Sequence, residues 1–494
     1  MKNQSVDVLI TGAGPTGLVL ALWLTRAGVR VRIIDKTAEP GTTSRAVAVQ
    51  GRTLELYAQL GLADAVVERG RKVFNANIWI SGKRRARLQF GSFGADLSPF
   101  SFALIYPQDE HERLLIERLA QEGVEVERST ELLGFEERED HVVARLRRAD
   151  GAEESCVATY LAGCDGAHST VRTALKIGFE GGTYEHVFYV ADVEASGAVM
   201  NGEIHVGLDA HDFLALFPLK DEGRARLVGT IRDSALAAGG KLAWSDVKTR
   251  VIDWIGIDVT RVHWFSTYRV HHRVATQFRR GRAFLLGDAA HIHSPVGGQG
   301  MNTGIGDAVN LAWKLADVIH GGRDASLLDT YEPERIGFAQ RLVKTTDQGF
   351  TAVTSSRPLA RFVRLHLASR VLPSFLRFRR VRRAMFHTLS QLGITYRHSA
   401  LSAGKAGNVH GGDRLPWTGT NFDALKSLGW QVHVYGEARP ETDVPLHVFP
   451  WTAEAERAGL QRNAAYLVRP DGYVAVADWS KEHGPVNCRG LLSM

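Results

Sequence analysis

Three patterns of apolar positions recur along this chain, and each predicts a different element. Val6 to Ile10 is a short β-branched run of the buried-strand kind, followed at once by Thr11-Gly12-Ala13-Gly14-Pro15-Thr16-Gly17. Leu18, Ala21, Leu22 and the pair Thr25/Arg26 then repeat at three-four spacing until Gly28, which predicts a helix, and Val29 to Ile34 predicts a second strand. A second strand-to-turn-to-helix passage runs from Val157–Gly163 through Cys164-Asp165-Gly166-Ala167-His168-Ser169 into Thr170-Val171-Arg172. A third opens with Ala283 to Gly287, crosses a glycine-rich loop, and enters a helix with Ala308, Leu311, Ala312, Leu315, Ala316 and Ile319 on one face. Between the second and third passages the period changes to two. Val187–Val193, Phe213–Phe217, Arg224–Thr230 after the turn Lys220-Asp221-Glu222-Gly223, and His263–Val270 predict an antiparallel meander. Strands return after Gly404 at Gln431–Tyr435 and Val444–Phe449, with a hairpin from Tyr466 to Val476 across Arg469-Pro470-Asp471-Gly472.

At 494 residues the chain is about three times the ~150-residue domain prior, so two or three domains are expected. The hydrophobic share of 44% and charged share of 23% are those of a globular protein and argue against a dominant disordered class. A net charge of +6 over this length is too weak to predict nucleic-acid binding. Cys156, Cys164 and Cys488 form no CxxC pair, so disulfides, structural zinc and dithiol chemistry all lack ligands, and no metal is predicted. With no apolar leader at the N-terminus and no uninterrupted apolar run of ~20 residues, a cytoplasmic protein without a membrane span is expected. Arg361 to Arg383 carries eight arginines among Phe, Leu and Val. It reads as a basic amphipathic helix that buries its apolar stripe on the body of the protein, a membrane surface or acidic partner being the weaker alternative.

Gly12, Gly14 and Gly17 would permit a tight turn, the close approach of a pyrophosphate, and packing of helix on strand, with the phosphates at the positive helix end. Pro15 suits the first helical turn. GxGxxG alone is weak, but here it follows a strand, precedes a helix, and is answered by Asp35 at the end of the second strand. An acid there accepts from ribose hydroxyls and repels a 2′-phosphate, which favours FAD or NAD over NADP. For Asp165-Gly166 the plain alternative is a helix cap, with Ser169 at the N-cap and Asp165 beside the same positive end. In the third passage Asn302 and Thr303 fall near a helix N-terminus, whose free N–H groups would stabilise the anionic reduced form of a flavin. Asp288 could accept from a ribityl chain.

Together, Gly12–Gly17, Asp165-Gly166 and Gly287-Asp288 with the Pro295–Asn302 loop resemble the class A flavoprotein aromatic hydroxylases, the single-component family of p-hydroxybenzoate hydroxylase and the aromatic polyketide hydroxylases. The resemblance implies an α/β fold with a Rossmann-like FAD-binding domain (1–75, 100–180 and 270–400), an inserted antiparallel β-sheet substrate domain (76–99 and 181–269) and a C-terminal thioredoxin-like α/β domain (405–494). It carries Gly412-Asp413-Arg414-Leu415-Pro416 and Leu467 to Gly472 as marks of that tail, where the missing CxxC favours a structural or subunit-contact role. It implies that Asp35 holds the adenosine ribose, Asp288 the ribityl chain, and Gly298, Gly300, Met301 and Asn302 the pyrimidine side of the flavin. Asp165-Gly166 would serve FAD and the nicotinamide cofactor, Arg45 the pyrophosphate, and Gln108 the FAD. The implied cycle is reduction of FAD by NADPH or NADH bound transiently, capture of O2 as a flavin hydroperoxide, and oxygen transfer to a phenolic or polycyclic aromatic ring.

Phe213, Leu214 and Phe217 are candidate walls of the substrate cleft, although aromatic residues in strands are commonly plain core. His291, His293 and Pro295 flank the flavin loop. His291 and Pro295 are the candidate catalytic positions and neither is assigned, since a loop histidine is usually a structural hydrogen-bonder. Baeyer–Villiger, epoxidising or antibiotic-inactivating oxygenases of the same family, and a flavin-binding redox sensor without turnover, are the alternatives. Monomer and homodimer are both compatible with the sequence.

Overall fold

In the computed structural model of the chain, residues 5–41, 46–209, 213–231, 242–247, 250–294, 297–354, 375 and 378–477 are described. Strand β1 (Ser5–Thr11) is followed by helix α1 (Pro15–Arg26), with Pro15 in its first turn and Gly28 in left-handed backbone just past its end. Strand β2 (Val31–Ile34) starts later than the apolar run predicts, because the Val29 N–H is taken by Leu24 O at 2.9 Å in closing α1. Helix α2 (Gly51–Gln59) is buried along nearly its whole length. Strand β3 (Glu153–Gly163) lies parallel to β1, with Thr11 opposite Gly163, and leads into the short helix α3 (Thr170–Ala174).

The second sheet contains β4 (Phe179–Ser196), β5 (Phe213–Pro218), β6 (Arg224–Ile231) and β7 (Asp258–Ala275). It departs from a simple meander. β4 lies between β6 and β7, antiparallel to both, and the strand Ile204–Leu208 runs parallel to Asn75–Ile80. The apolar stretch Val187 to Ala191 is buried on both faces, so its backbone groups require a strand on each edge.

The chain returns to the first sheet at β8 (Ala283–Leu285), parallel to β3 with Leu285 opposite Gly163. The long helices α4 (Gly300–Ile319) and α5 (Tyr331–Thr354) follow. In α4 the residues Ala308, Leu311, Ala312, Leu315 and Ala316 are buried, as their spacing predicts. Helix α6 (Arg379–Leu389) covers the end of the basic segment. It buries Phe386 against Gly94, while Arg382 lies over the Phe93 ring at 4.3 Å and Arg383 pairs with Asp96. Arg361, Arg364, Arg370 and Arg377 lie outside the described residues.

A third sheet carries β9 (Gln431–Tyr435), β10 (Ala465–Val468) and β11 (Val474–Ala477), the last two forming the expected hairpin. Beside β9 the strand Leu446–Phe449 begins only after Pro445, which has no N–H to donate to a ladder. Among the described residues no helix is long and apolar enough to cross a membrane, and no group of His, Cys, Asp and Glu could hold a metal.

Candidate active site

Strands β1, β3 and β8 lie side by side and parallel, so the three glycine-bearing turns at their carboxyl ends meet in one place. A Cβ on Gly12, whose φ is +97°, would stand 2.3 Å from Cys164 O, so the first turn lies directly on the second. A Cβ on Gly17 would stand 2.0 Å from Gly12 O, and those on Gly287 and Gly304 would stand 2.7 and 2.3 Å from Thr16 Oγ1. These glycines are therefore required by packing. Gly14 differs, because a Cβ there meets nothing within 4 Å. It is the N-cap of α1 and supplies no side-chain cap, which leaves an open cradle at the positive helix end.

Asp35 is already in use. Its Oδ2 accepts from the Ala13 N–H at 2.7 Å, its Oδ1 accepts from the Thr37 N–H and hydroxyl at 2.8 and 2.6 Å, and the Arg128 guanidinium lies 3.8 Å away. The carboxylate thus fastens the glycine loop first, and a ribose hydroxyl would share its remaining lone pairs. Gln108 begins the helix Gln108–Gln121, donating its amide to Glu112 at 2.8 Å and its backbone N–H to Ala46 O at 3.2 Å. Arg45 and Pro295 lie outside the described residues.

Asp165 does what the plain reading of its motif expects: its Oδ2 accepts from the Thr170 and Val171 N–H groups at 2.7 and 3.2 Å, while Ser169 Oγ accepts from Arg172 N–H at 2.9 Å. Its Oδ1 is buried and unpartnered, and Gly166 beside it has left-handed backbone with open space where a Cβ would be. Asp288 is exposed on the turn Gly287–Ala289.

At the start of α4, Gly300, Met301 and Asn302 precede the first intrahelical bond, from Thr303 N–H to Gln299 O at 2.9 Å. The Asn302 side chain is fully committed, accepting from Gln50 N–H and Thr53 Oγ1 at 2.8 Å each and donating to Ala48 O and Gly298 O at 2.9 and 3.0 Å. Only its backbone is left for a ligand. Gly298, at φ +62°, lies against Ala48.

The two loop histidines separate. His291 is buried and shares a 2.6 Å hydrogen bond with Asp307, whose carboxylate also accepts from Arg335 Nε at 2.6 Å and Gly287 N–H at 3.0 Å. Burial would raise the Asp307 pKa, but Arg335 and His291 outweigh it and hold the carboxyl below its usual range. His291 thus braces the Gly287 turn through Asp307. His293 bonds Ser294 O through Nδ1 at 2.8 Å, while its buried Nε2 has no partner. Desolvation lowers its pKa to about 4, so it is neutral at pH 7. Ser294 Oγ is also buried and unpartnered. An open cradle at Gly14, two uncapped helix ends and these three orphaned polar atoms fit a flavin dinucleotide laid across the turns.

One face of the second sheet is aromatic. Phe213 and Phe217 share it with Phe188 and Tyr268, the Phe188 ring lying 6.3 Å from Phe213 and 5.9 Å from Tyr268. Leu214 differs: alternation along β5 turns it to the opposite face from Phe213 and Phe217, where it packs with Val251, Ile255 and Tyr189. On the aromatic face, Arg226 forms a bidentate pair with Asp192 at 2.7 and 2.8 Å, lies 5.5 Å over the Trp264 ring, and donates to Ala46 O at 3.1 Å. Thus a buried arginine of this sheet holds the backbone at Ala46. Sequence reasoning missed Arg226, Asp307 and Arg335; an acid such as Asp307 within the apolar stripe of α4 was the available signal.

The family model for the FAD binding domain matches residues 5–346. A 6-methylpretetramide 4-monooxygenase of Streptomyces rimosus is 36% identical over 513 residues, covering 95% of this chain and 90% of the relative. A pentachlorophenol 4-monooxygenase of Sphingobium chlorophenolicum is 36% identical over 362 residues, covering 70% of this chain and 64% of the relative. Among solved structures, the OxyS anhydrotetracycline hydroxylase from Streptomyces rimosus superposes with a TM-score of 0.78 at 28% identity, covering 97% of both chains. The chain belongs to the FAD-binding flavoprotein family. Within it, the protein is a class A FAD-dependent aromatic monooxygenase of the polyketide hydroxylase branch.

Proposed function

We propose that this monooxygenase hydroxylates a phenolic or polycyclic aromatic substrate of the polyketide kind, using NADPH or NADH as transient reductant and O2 as oxygen donor. The observation that carries the reading is the aromatic face of the second sheet, formed by Phe188, Phe213, Phe217 and Tyr268 and joined through Arg226 to Ala46 at the edge of the cofactor turns. An aromatic ring would bury against such a face, and 6-methylpretetramide, pentachlorophenol and anhydrotetracycline in the relatives' names each contain an aromatic ring.

FAD, when bound, supplies the redox chemistry and the activation of oxygen. The chain's residues bind, orient and exclude water. Gly12, Gly14 and Gly17 with the start of α1 would receive the pyrophosphate, Asp35 the adenosine ribose, Asp288 the ribityl chain, and Asp165 Oδ1 the groove between. The backbone N–H groups of Gly300, Met301 and Asn302 would face the flavin's electron-rich pyrimidine edge, where the helix end favours negative charge. His293, neutral and with Nε2 open, is the better placed of the two histidines to accept a hydrogen bond at that edge. A cytoplasmic location belongs to the proposal, Cys156 and Cys164 being unpaired.

The test is the visible spectrum of the purified protein, then stopped-flow reduction by NADPH with a panel of phenols and polycyclic aromatics. Faster reduction and a product heavier by one oxygen with one of them support the reading. Bound flavin that no aromatic accelerates, with no oxygenated product, would sink it.

A further inference from the structure

The Arg469–Gly472 turn between β10 and β11 reaches out of the third sheet into the helices of the first. Arg469, completely buried, donates to both oxygens of Glu334 on α5 at 2.7 and 3.0 Å and to both oxygens of Asp471 at 3.0 and 2.7 Å. Glu334 also accepts from Lys314 Nζ and Asn310 Nδ2 on α4 at 2.9 and 2.6 Å, and Trp313 Nε1 of the same helix donates to Asp471 at 3.2 Å. One turn of α4, from Asn310 to Lys314, is therefore tied to the third sheet, directly by Trp313 and through Glu334 by Asn310 and Lys314.

Two further lines run from this junction to the start of α4. In one, Asp471 O accepts from Arg52 at 2.5 Å, and the next residue, Thr53, holds Asn302 by its hydroxyl. In the other, Tyr396, whose ring packs 4.4 Å from Tyr473, accepts from Arg335 through its hydroxyl at 2.8 Å. Arg335 then donates to Thr303 O at 3.1 Å and to Asp307. Arg52, Asn302, Arg335, Tyr396 and Tyr473 line one small cavity between the two lines. Contacts from the third sheet thus converge on the first turn of α4 from both sides.

We infer that the third sheet is a latch on the cofactor helix: Arg469, Asp471 and Tyr396 are positioning residues that fix the first turn of α4, so that docking of this sheet and affinity for FAD are coupled. Buried, fully paired charges have few alternative arrangements, because a partial shift strands a charge without a partner. The junction is therefore either seated or not, and a device with two such states transmits free energy between sites. Linkage makes the coupling reciprocal: bound FAD must protect the hairpin by the factor by which the seated hairpin tightens FAD. The inference rests on the reading of the α4 N-terminus as the seat of the flavin.

Removing Arg469 itself would leave Glu334 beside an excess of negative charge and could prevent folding, so the test uses Tyr396→Phe and Trp313→Phe, each of which deletes one hydrogen bond and no charge. FAD is titrated into full-length apoprotein by flavin fluorescence quenching, and thermal melting is recorded in parallel. The latch predicts that FAD Kd rises about three- to tenfold in Tyr396→Phe, with a smaller rise in Trp313→Phe. The control Tyr435→Phe, which deletes the hydroxyl bonded by Asn421 at 2.7 Å inside the third sheet, should lower the melting temperature and leave Kd unchanged. FAD should also slow amide exchange at residues 465–477. Unchanged Kd in both latch variants, or an equal rise in the control, overturns the latch. Asn302→Ser separates the two levels: a raised Kd there with silent latch variants removes the latch alone, and an unchanged Kd there removes the seat and the latch together.

Discussion

Glycines that look alike in the sequence do different work. Gly12 is held at φ +97° against Cys164, whereas Gly14 has ordinary backbone and open space above it. Gly12→Ala should therefore yield little folded protein. Gly14→Ala should melt like the wild type yet bind FAD about tenfold more weakly, a change of about 1.4 kcal/mol, because its methyl group fills the cradle. A melting temperature and an FAD titration on each variant check both outcomes. Asp307 is a different kind of residue, serving Arg335, His291 and the Gly287 N–H at once. Asp307→Asn leaves a buried guanidinium poorly compensated and should cost about 3–5 kcal/mol in urea unfolding. That the candidate site contained Asp35, Asp165 and Asn302 was legible, since turn glycines and helix ends are local features. Their division of labour was not. Three of the four hydrogen bonds of the Asn302 side chain go to Ala48, Gln50 and Thr53, about 250 residues earlier, which no local pattern brings beside it.

At the scale of elements, β5 separates wall from core. Phe217 stands half-buried on the aromatic face and Leu214 is fully buried on the other. Leu214→Ala should destabilise the protein by about 2–5 kcal/mol while leaving the choice of aromatic effector unaltered. Phe217→Ala should cost less in stability and change which ring accelerates flavin reduction, a contrast readable by chemical denaturation and stopped-flow on the same preparations. The strand itself was legible from alternation, but which of its faces meets the cleft depends on register against β6 and the helix covering the far side. The interposition of β4 between β6 and β7 was hidden for the same reason, because a strand buried on both faces recruits partners irrespective of their order in the chain.

For the whole molecule, burial of histidine predicts a pH response. His111 and His433 are lowered to about 3, and His205 and His293 to about 4, all first by desolvation. Their folded values lie below the unfolded 6.5, so between the two the unfolded chain binds protons that the folded chain refuses. Stability must therefore fall as pH drops from about 6.5 toward 4, by up to about 1.4 kcal/mol per pH unit for each such histidine. Urea unfolding at pH 7.5, 6 and 5 measures the slope, and His433→Gln should flatten it. A stability independent of pH across that window would contradict the burial of these rings.

Sequence alone determined the strand-turn-helix units, the positions of the glycines and the acid answering the first fingerprint; the flavin-dependent chemistry came through the family that these motifs resemble. Those features follow from backbone sterics and hydrophobic period, which act over a few residues. Only the tertiary structure decided that Thr16 stands against Gly287 and Gly304, that His291 is tied to Asp307 while His293 keeps an open nitrogen, and that Arg226 and Arg469 reach from two other sheets to Ala46 and to Glu334. Those facts depend on burial of polar groups far apart in the chain. A buried charge takes whichever partner the packed layers bring within reach, and that partner is chosen by the fold as a whole.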